Sequence, residues 1–223
     1  MLKLSGDLTK ALSALPEKGD LKLDLSDCIT EDKVFYTKLF PENIRSRIVF
    51  LILPDSIEEI NELILENLRT ISGKNVLFIR EFAFYKCSSL KTICLPNVRS
   101  IDDSAFADCT SLKTLNFPNT TTIGDNAFFG CESLVSINFP KITNINNRAF
   151  WNCKSLKSIE LPNVTSIGDV VFFGCKSLES INLPKIREID KDIFFGCNSL
   201  IIINLYKFSI EEFMPEVCGE LFD

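Results

Sequence analysis

Apolar residues recur along this chain with two periods, one nested in the other. The short period is two. Ile93 and Leu95, Ile137 and Phe139, and Ile159 and Leu161 alternate with polar residues. That alternation predicts a short strand with one face inward. A proline follows each such stretch (Pro96, Pro118, Pro140, Pro162, Pro184) and ends pairing, because it has no N–H to give a ladder. The long period is 22. Cys87, Cys109, Cys131, Cys153, Cys175 and Cys197 stand 22 residues apart, each with a phenylalanine three residues before it and a leucine three after. A fixed repeat of this length is the mark of a solenoid, in which coil stacks on coil.

Within each unit a second apolar pair follows the strand: Val98 with Ile101, Ile142 with Ile145, Val164 with Ile167, Ile186 with Ile189. It is expected to line the opposite wall of the coil, as a shorter strand or an extended segment. Asp103, Asp125, Asn147 and Asp169 precede the turn that carries the cysteine. Each is expected to accept a backbone N–H and start one helical turn.

Residues 1–47 do not follow the period. Leu8, Ala11, Leu12 and Leu15 share a helical face closed by Pro16, and Leu21, Leu23 and Leu25 alternate as a strand. Thr30 is placed to cap a second short helix with Val34, Phe35 and Leu39 on its apolar side. Ile48 to Leu53 reads as the first strand of the array. The pattern ends after Leu205, where Ile210, Phe213, Met214, Val217 and Leu221 offer an apolar cover. The expected organisation is an N-terminal cap (1–47, helix plus strand), a solenoid (48–207) and a C-terminal cap (208–223), since a stacked array leaves both end coils open.

Composition narrows the function. Apolar residues make up 46%, enough for a large core, and the net charge of −6 argues against a nucleic-acid or anionic-membrane partner. Histidine is absent, which removes the commonest general base and metal ligand. The longest apolar run, Ile48 to Leu53, is too short to span a bilayer, and the first residues show no signal peptide. If Met1 is the native start, the expected address is cytoplasmic.

The cysteine column is not a metal site. A stacked row sets sulfurs in a line, whereas zinc wants a tetrahedron, and the CxxC pairs that usually supply one are missing. The expectation is small buried thiols packing the coil, with Cys94, at an outward strand position, as the exposed one. Neither a metal nor a cofactor is expected. The recurrent serines Ser89, Ser111, Ser133, Ser155, Ser177 and Ser199 have no base to activate them and read as turn hydroxyls satisfying backbone groups. No nucleophile–base pair is legible, so no enzyme is expected.

Two surfaces are candidate contact sites. The outward strand positions carry Lys91, Thr92, Lys113, Thr114, Asn116, Asn138, Lys157, Glu160, Glu179 and Asn182. Among these, Asn116, Asn138, Asn182 and Asn204, with Glu160 between, are placed either to hydrogen-bond along the stack or to meet a ligand. The second surface is aromatic. Tyr85, Phe129, Trp151, Phe173 and Phe195 each stand two residues before a cysteine, with Ala107 breaking the row. Rings at these places either pack on one another or form a contact site. Ile201 and Ile202 add apolar side chains at outward positions of the last coil.

The run LKTICLPNVRSIDDSAFADCTSL, with its LxxIxLP strand, VxxI pair and AFxxCxxL turn, resembles the BspA-like leucine-rich repeat family. The match is close over 68–205 and loose over 48–67. The resemblance implies a leucine-rich repeat solenoid with a parallel β-sheet on one face and short turns on the other. It also implies a non-catalytic surface or secreted protein used in adhesion and host-protein binding. Three roles follow as expectations: a protein-binding repeat domain with a partner of unknown identity; an architectural or self-associating segment of a larger surface protein; and an intracellular interaction scaffold.

Overall fold

The structure, a computed structural model, describes residues 1–13, 15–30 and 32–205. The expected C-terminal cap therefore lies outside the described residues. The chain winds as a solenoid of stacked parallel coils, each with three sides.

The first side is the strand wall. Leu2–Asp7, Leu21–Ile29, Ile48–Ile52, Thr70–Ser72 and Thr92–Cys94 form one parallel sheet. Thr114–Asn116 pairs with Ser136–Asn138, and Ser158–Glu160 leads to Ser180–Leu183 and Ile202–Leu205. Register matches like with like: Leu115 lies against Ile137 and Ile159 against Ile181. Ile48–Ile52 is thus the third strand of this wall and not the first. The exposed Leu2–Asp7 carries little apolar alternation to announce it, and only Leu4 turns partly toward the core.

The second side is a seven-stranded sheet of two-residue strands. It runs from Val34–Phe35 through Glu59–Ile60, Phe78–Ile79, Ser100–Ile101, Thr122–Ile123 and Asn144–Ile145 to Ser166–Ile167. The second apolar pair therefore ends in a strand. Val34 and Phe35 begin this wall in register with Glu59 and Ile60, in place of a helix capped by Thr30. Pairing to the next coil outweighs the local capping signal, and only Thr37–Leu39 turns, as a 3-10 helix. The helix Leu8–Ser13 forms as expected, with Leu8 and Leu12 buried.

The third side is the turn that carries Phe and Cys. Here the backbone bonds reach forward: Phe106 N–H donates to Ala127 O and Phe128 N–H to Ala149 O, both at 2.8 Å. Two residues per turn take left-handed backbone conformations. One is the Ser104, Asn126, Arg148, Val170 position; the other is the Asp108, Gly130, Asn152, Gly174 position. At Gly130 a Cβ would sit 2.5 Å from Asp108 Oδ1, so a larger residue there would make that side chain turn away. Val170, β-branched at φ 48°, is the strained member.

Inside, like side chains form columns. Phe84, Phe106, Phe128, Phe150, Phe172 and Phe194 stack with centroids 4.9 to 6.0 Å apart. The coil-to-coil spacing of parallel strands, about 4.8 Å, lets aromatic faces meet.

Candidate functional site

The cysteine column explains its own regularity. Each thiol donates to the carbonyl of the core phenylalanine one coil back: Cys109 to Phe84 at 3.1 Å, Cys131 to Phe106 at 3.2 Å, Cys153 to Phe128 at 3.3 Å, Cys175 to Phe150 at 3.2 Å and Cys197 to Phe172 at 3.1 Å. Cys87 does the same to Leu63 O at 3.4 Å. Burial pushes the thiols up, Cys87 to about 11 and Cys197 to about 12. The Cys131 thiol is likewise raised by burial. Such thiols are poor nucleophiles and poor metal ligands. Among the described cysteines Cys94 is the exposed one. Among the described residues no group of His, Cys, Asp or Glu could hold a metal ion, and no helix is long and apolar enough to cross a membrane.

The Asp/Asn positions before the turn act between coils and not within one. Asp103 Oδ1 accepts Asp125 N–H at 2.7 Å, Asp125 Oδ1 accepts Asn147 N–H at 3.0 Å, and Asn147 Oδ1 accepts Asp169 N–H at 2.9 Å. The stacking that brings the next coil's N–H overhead outcompetes a local cap. The six recurrent serine side chains, by contrast, make no hydrogen bond within the described residues. Their positions are mostly half-exposed, so water can serve them.

The strand wall presents three adjacent columns outward. The first is basic: Arg69, Lys91, Lys113 and Lys157 are exposed and form no ion pair among the described residues, with Val135 and Glu179 filling its other places. The second is hydroxyl: Thr70, Thr92, Thr114, Ser136, Ser158 and Ser180. The third carries Cys94, Asn116, Asn138, Glu160, Asn182 and Asn204. The structure thus brings all ten strand-face candidates onto one surface. Arg69, which heads the basic column, follows Leu68 as Lys91 follows Leu90, so the same spacing could have found it.

The third column is a partial ladder. Asn138 Nδ2 donates to Asn116 Oδ1 at 2.8 Å, Asn182 to Glu160 Oε2 at 2.7 Å, and Asn204 to Asn182 Oδ1 at 2.9 Å. Two links are missing, Asn116 to Cys94 and Glu160 to Asn138. A thiol accepts weakly, and a carboxylate cannot donate. The backbone sheet divides at the same two places, after Thr92–Cys94 and after Ser136–Asn138.

The aromatic row lies apart from this wall, on the turn side. Phe129 and Trp151 stack at 6.1 Å, Trp151 and Phe173 at 4.1 Å, and Phe173 and Phe195 at 4.9 Å. Arg148 lies over Trp151 at 5.7 Å. Tyr85 packs edge-on against Phe82 instead, and buried Ala107 separates it from the rest. Face-to-face stacking leaves ring edges outward, with Phe195, 55% exposed, at the end of the stack.

The columns, their spacing and the thiol bonds describe one repeated unit, and a family model fits it. The BspA type leucine-rich repeat region matches residues 45–157 and 143–217, in six copies. The chain belongs to the BspA-type leucine-rich repeat family. Solved leucine-rich repeat structures share its fold. A leucine rich cell surface protein from Faecalibacterium prausnitzii is similar over 78% of this chain and 67% of its own, at 20% identity and a TM-score of 0.51. TLR13, in its complex with ssRNA13, is similar over 94% of this chain and 32% of its own, at 20% identity and a TM-score of 0.53. The T. pallidum leucine rich repeat protein is 30% identical over 49% of this chain, with a TM-score of 0.45, and this chain spans 64% of its length. No curated protein matches the chain.

Proposed function

We propose that this BspA-type chain is a non-enzymatic protein-binding module of the cell surface, used in adhesion or host-protein contact, and that the strand wall is its contact face. Within 1–47, Leu2–Asp7 and Leu21–Ile29 add the first two strands to that wall, so the face is longer than the regular repeats alone. The observation that carries the reading is the basic column Arg69, Lys91, Lys113 and Lys157, which forms no ion pair among the described residues, on a chain of net charge −6. Set beside a column of hydroxyls, it offers an acidic protein surface several charge-assisted bonds. Capture from surface-protein extracts with the wild type and with Lys91→Glu/Lys113→Glu tests it. An acidic protein held by the wild type and released by the variant supports the proposal. Identical capture by both, or none, overturns it.

A second reading, self-association, rests on Phe195 at 55% exposure and on Ile201 and Ile202 at 83% and 60%. Light scattering separates the two. A monomer unaffected by Phe195→Ser and Ile201→Ser ends the second reading.

A further inference from the structure

Along the second wall each coil hands its backbone to the one before. Thr143 N–H donates to Thr121 O, Asn146 to Ile123 O and Thr165 to Thr143 O, each at 2.9 Å, and Gly168 to Ile145 O at 2.8 Å. One coil later these bonds stop, and the sheet ends at Ser166–Ile167. Arg187, Asp190 and Lys191 occupy the matching places. None of their N–H groups donates within the described residues, and the carbonyls of Thr165 and Ile167 accept nothing. The side-chain relay stops here too: Asp169 Oδ1 accepts no N–H from Lys191 among the described residues, and Asp190 Oδ1 accepts Asp192 N–H of its own loop at 3.0 Å.

The opening spans this wall and the first bond of the turn, where Val170 N–H does not reach Lys191 O as Arg148 N–H reaches Asp169 O. The same two coils pair along Ser158–Glu160 and Ser180–Asn182, and at the turn through Phe172 N–H to Ile193 O and Gly174 N–H to Phe195 O. A cleft of about 640 Å³ results, with Lys185, Arg187 and Glu188 on its rim. Ile167 and Ile189 flank it half-buried, whereas Ile101, Ile123 and Ile145 of the same column are 1% exposed.

We propose that this seam takes an extended peptide segment of a partner protein, which enters between Ser166–Ile167 and Arg187–Ile189 as an extra parallel rung. What identifies the occupant is the hydrogen-bonding pattern. One lip offers only acceptors to the gap at Thr165 O and Ile167 O; the other offers donors at Arg187 and Asp190. An extended backbone supplies both complements at once, which is how strands are added to open sheet edges. A branched apolar side chain on the segment fills the space between Ile167 and Ile189. An acidic residue beside it, on the outer face, meets Arg187, which has no ion pair among the described residues. This site is separate from the strand wall.

The test uses the whole protein and a fluorescent peptide, Ser-Thr-Glu-Ile-Glu-Thr-Ser, read by anisotropy and by amide exchange. The expected result is saturable binding that slows exchange of the amides at 187–191. N-methylation of both glutamates of the peptide should weaken binding at least about tenfold, since it removes the two donors. Lys91→Glu should leave the affinity unchanged. Equal binding of the N-methylated peptide, or none up to about millimolar concentration, overturns the proposal. So does a free protein in which 187–191 exchange as slowly as 143–147. A rise in mass by light scattering with no peptide binding assigns the seam to a second copy of the chain and also overturns it.

Discussion

A buried cysteine here does the work of a small apolar residue and of a donor. The Cys131 sulfur fills the coil and its S–H meets Phe106 O, so one small side chain serves both needs. Cys131→Ala should lower the unfolding free energy by about 1–2 kcal/mol, the lost burial plus one weak hydrogen bond, seen as a lower urea midpoint at unchanged slope. The thiols also make stability pH-dependent. Their ordinary value is 9.0, and burial raises Cys87 to about 11. As pH rises, protons leave the unfolded chain first. The contribution is whole below about 9 and falls above it, by up to about 1.4 kcal/mol per pH unit for each thiol. Thermal melts between pH 7 and 11 should therefore drop most steeply above 9, and less steeply in Cys131→Ala. The burial of this column was legible from spacing alone. Its acceptors were not, because each bond joins residues 24 or 25 apart and needs the coil pitch to be known.

Among the elements, the strand wall shows how one side-chain column tracks backbone pairing. Every amide link points the same way, Nδ2 toward the preceding coil, so a member must both accept and donate. Cys94 accepts poorly and Glu160 cannot donate, and both sheet divisions fall beside them. Cys94→Asn and Glu160→Asn should each complete a link and raise stability by up to about 1 kcal/mol, with slower amide exchange in the adjoining strands. Loss of stability in both would refute the link between column and sheet. On the turn side, Trp151 is held between Phe129 and Phe173. Trp151→Ala should cost about 2–3 kcal/mol, measured by chemical unfolding; a cost near zero would free the row from a packing role. The strands of the repeat were readable because alternation is local. The second wall at Val34–Phe35 was not, since two residues carry no period and only their partners Glu59 and Ile60 define them. The Asp103 relay was misplaced within its own turn for the same reason.

For the whole molecule, charge and shape act together. The acidic chain carries on its strand wall one run of bases without ion pairs among the described residues, so recognition there should be electrostatic. Once a partner is in hand, raising salt from about 0.05 to 0.5 M should weaken wild-type binding strongly, as the screening length shrinks. Lys91→Glu/Lys113→Glu should flatten that dependence. Fold class was plain from the repeat, whereas the contact face was legible only as a set of outward positions. Which of them lack ion pairs depends on neighbours a full coil away.

The uniform bond span has a consequence for how such a chain changes in descent. Cross-coil contacts through Asn116, Asp125 and Phe128 each join positions 22 apart. Excising one whole unit, such as 110–131, rejoins matching surfaces, because Thr92 then faces Ser136 and Phe106 faces Phe150. Removing a single residue throws every later side chain off its row. Rod length is thus free to drift by unequal recombination, while the spelling of each unit is held.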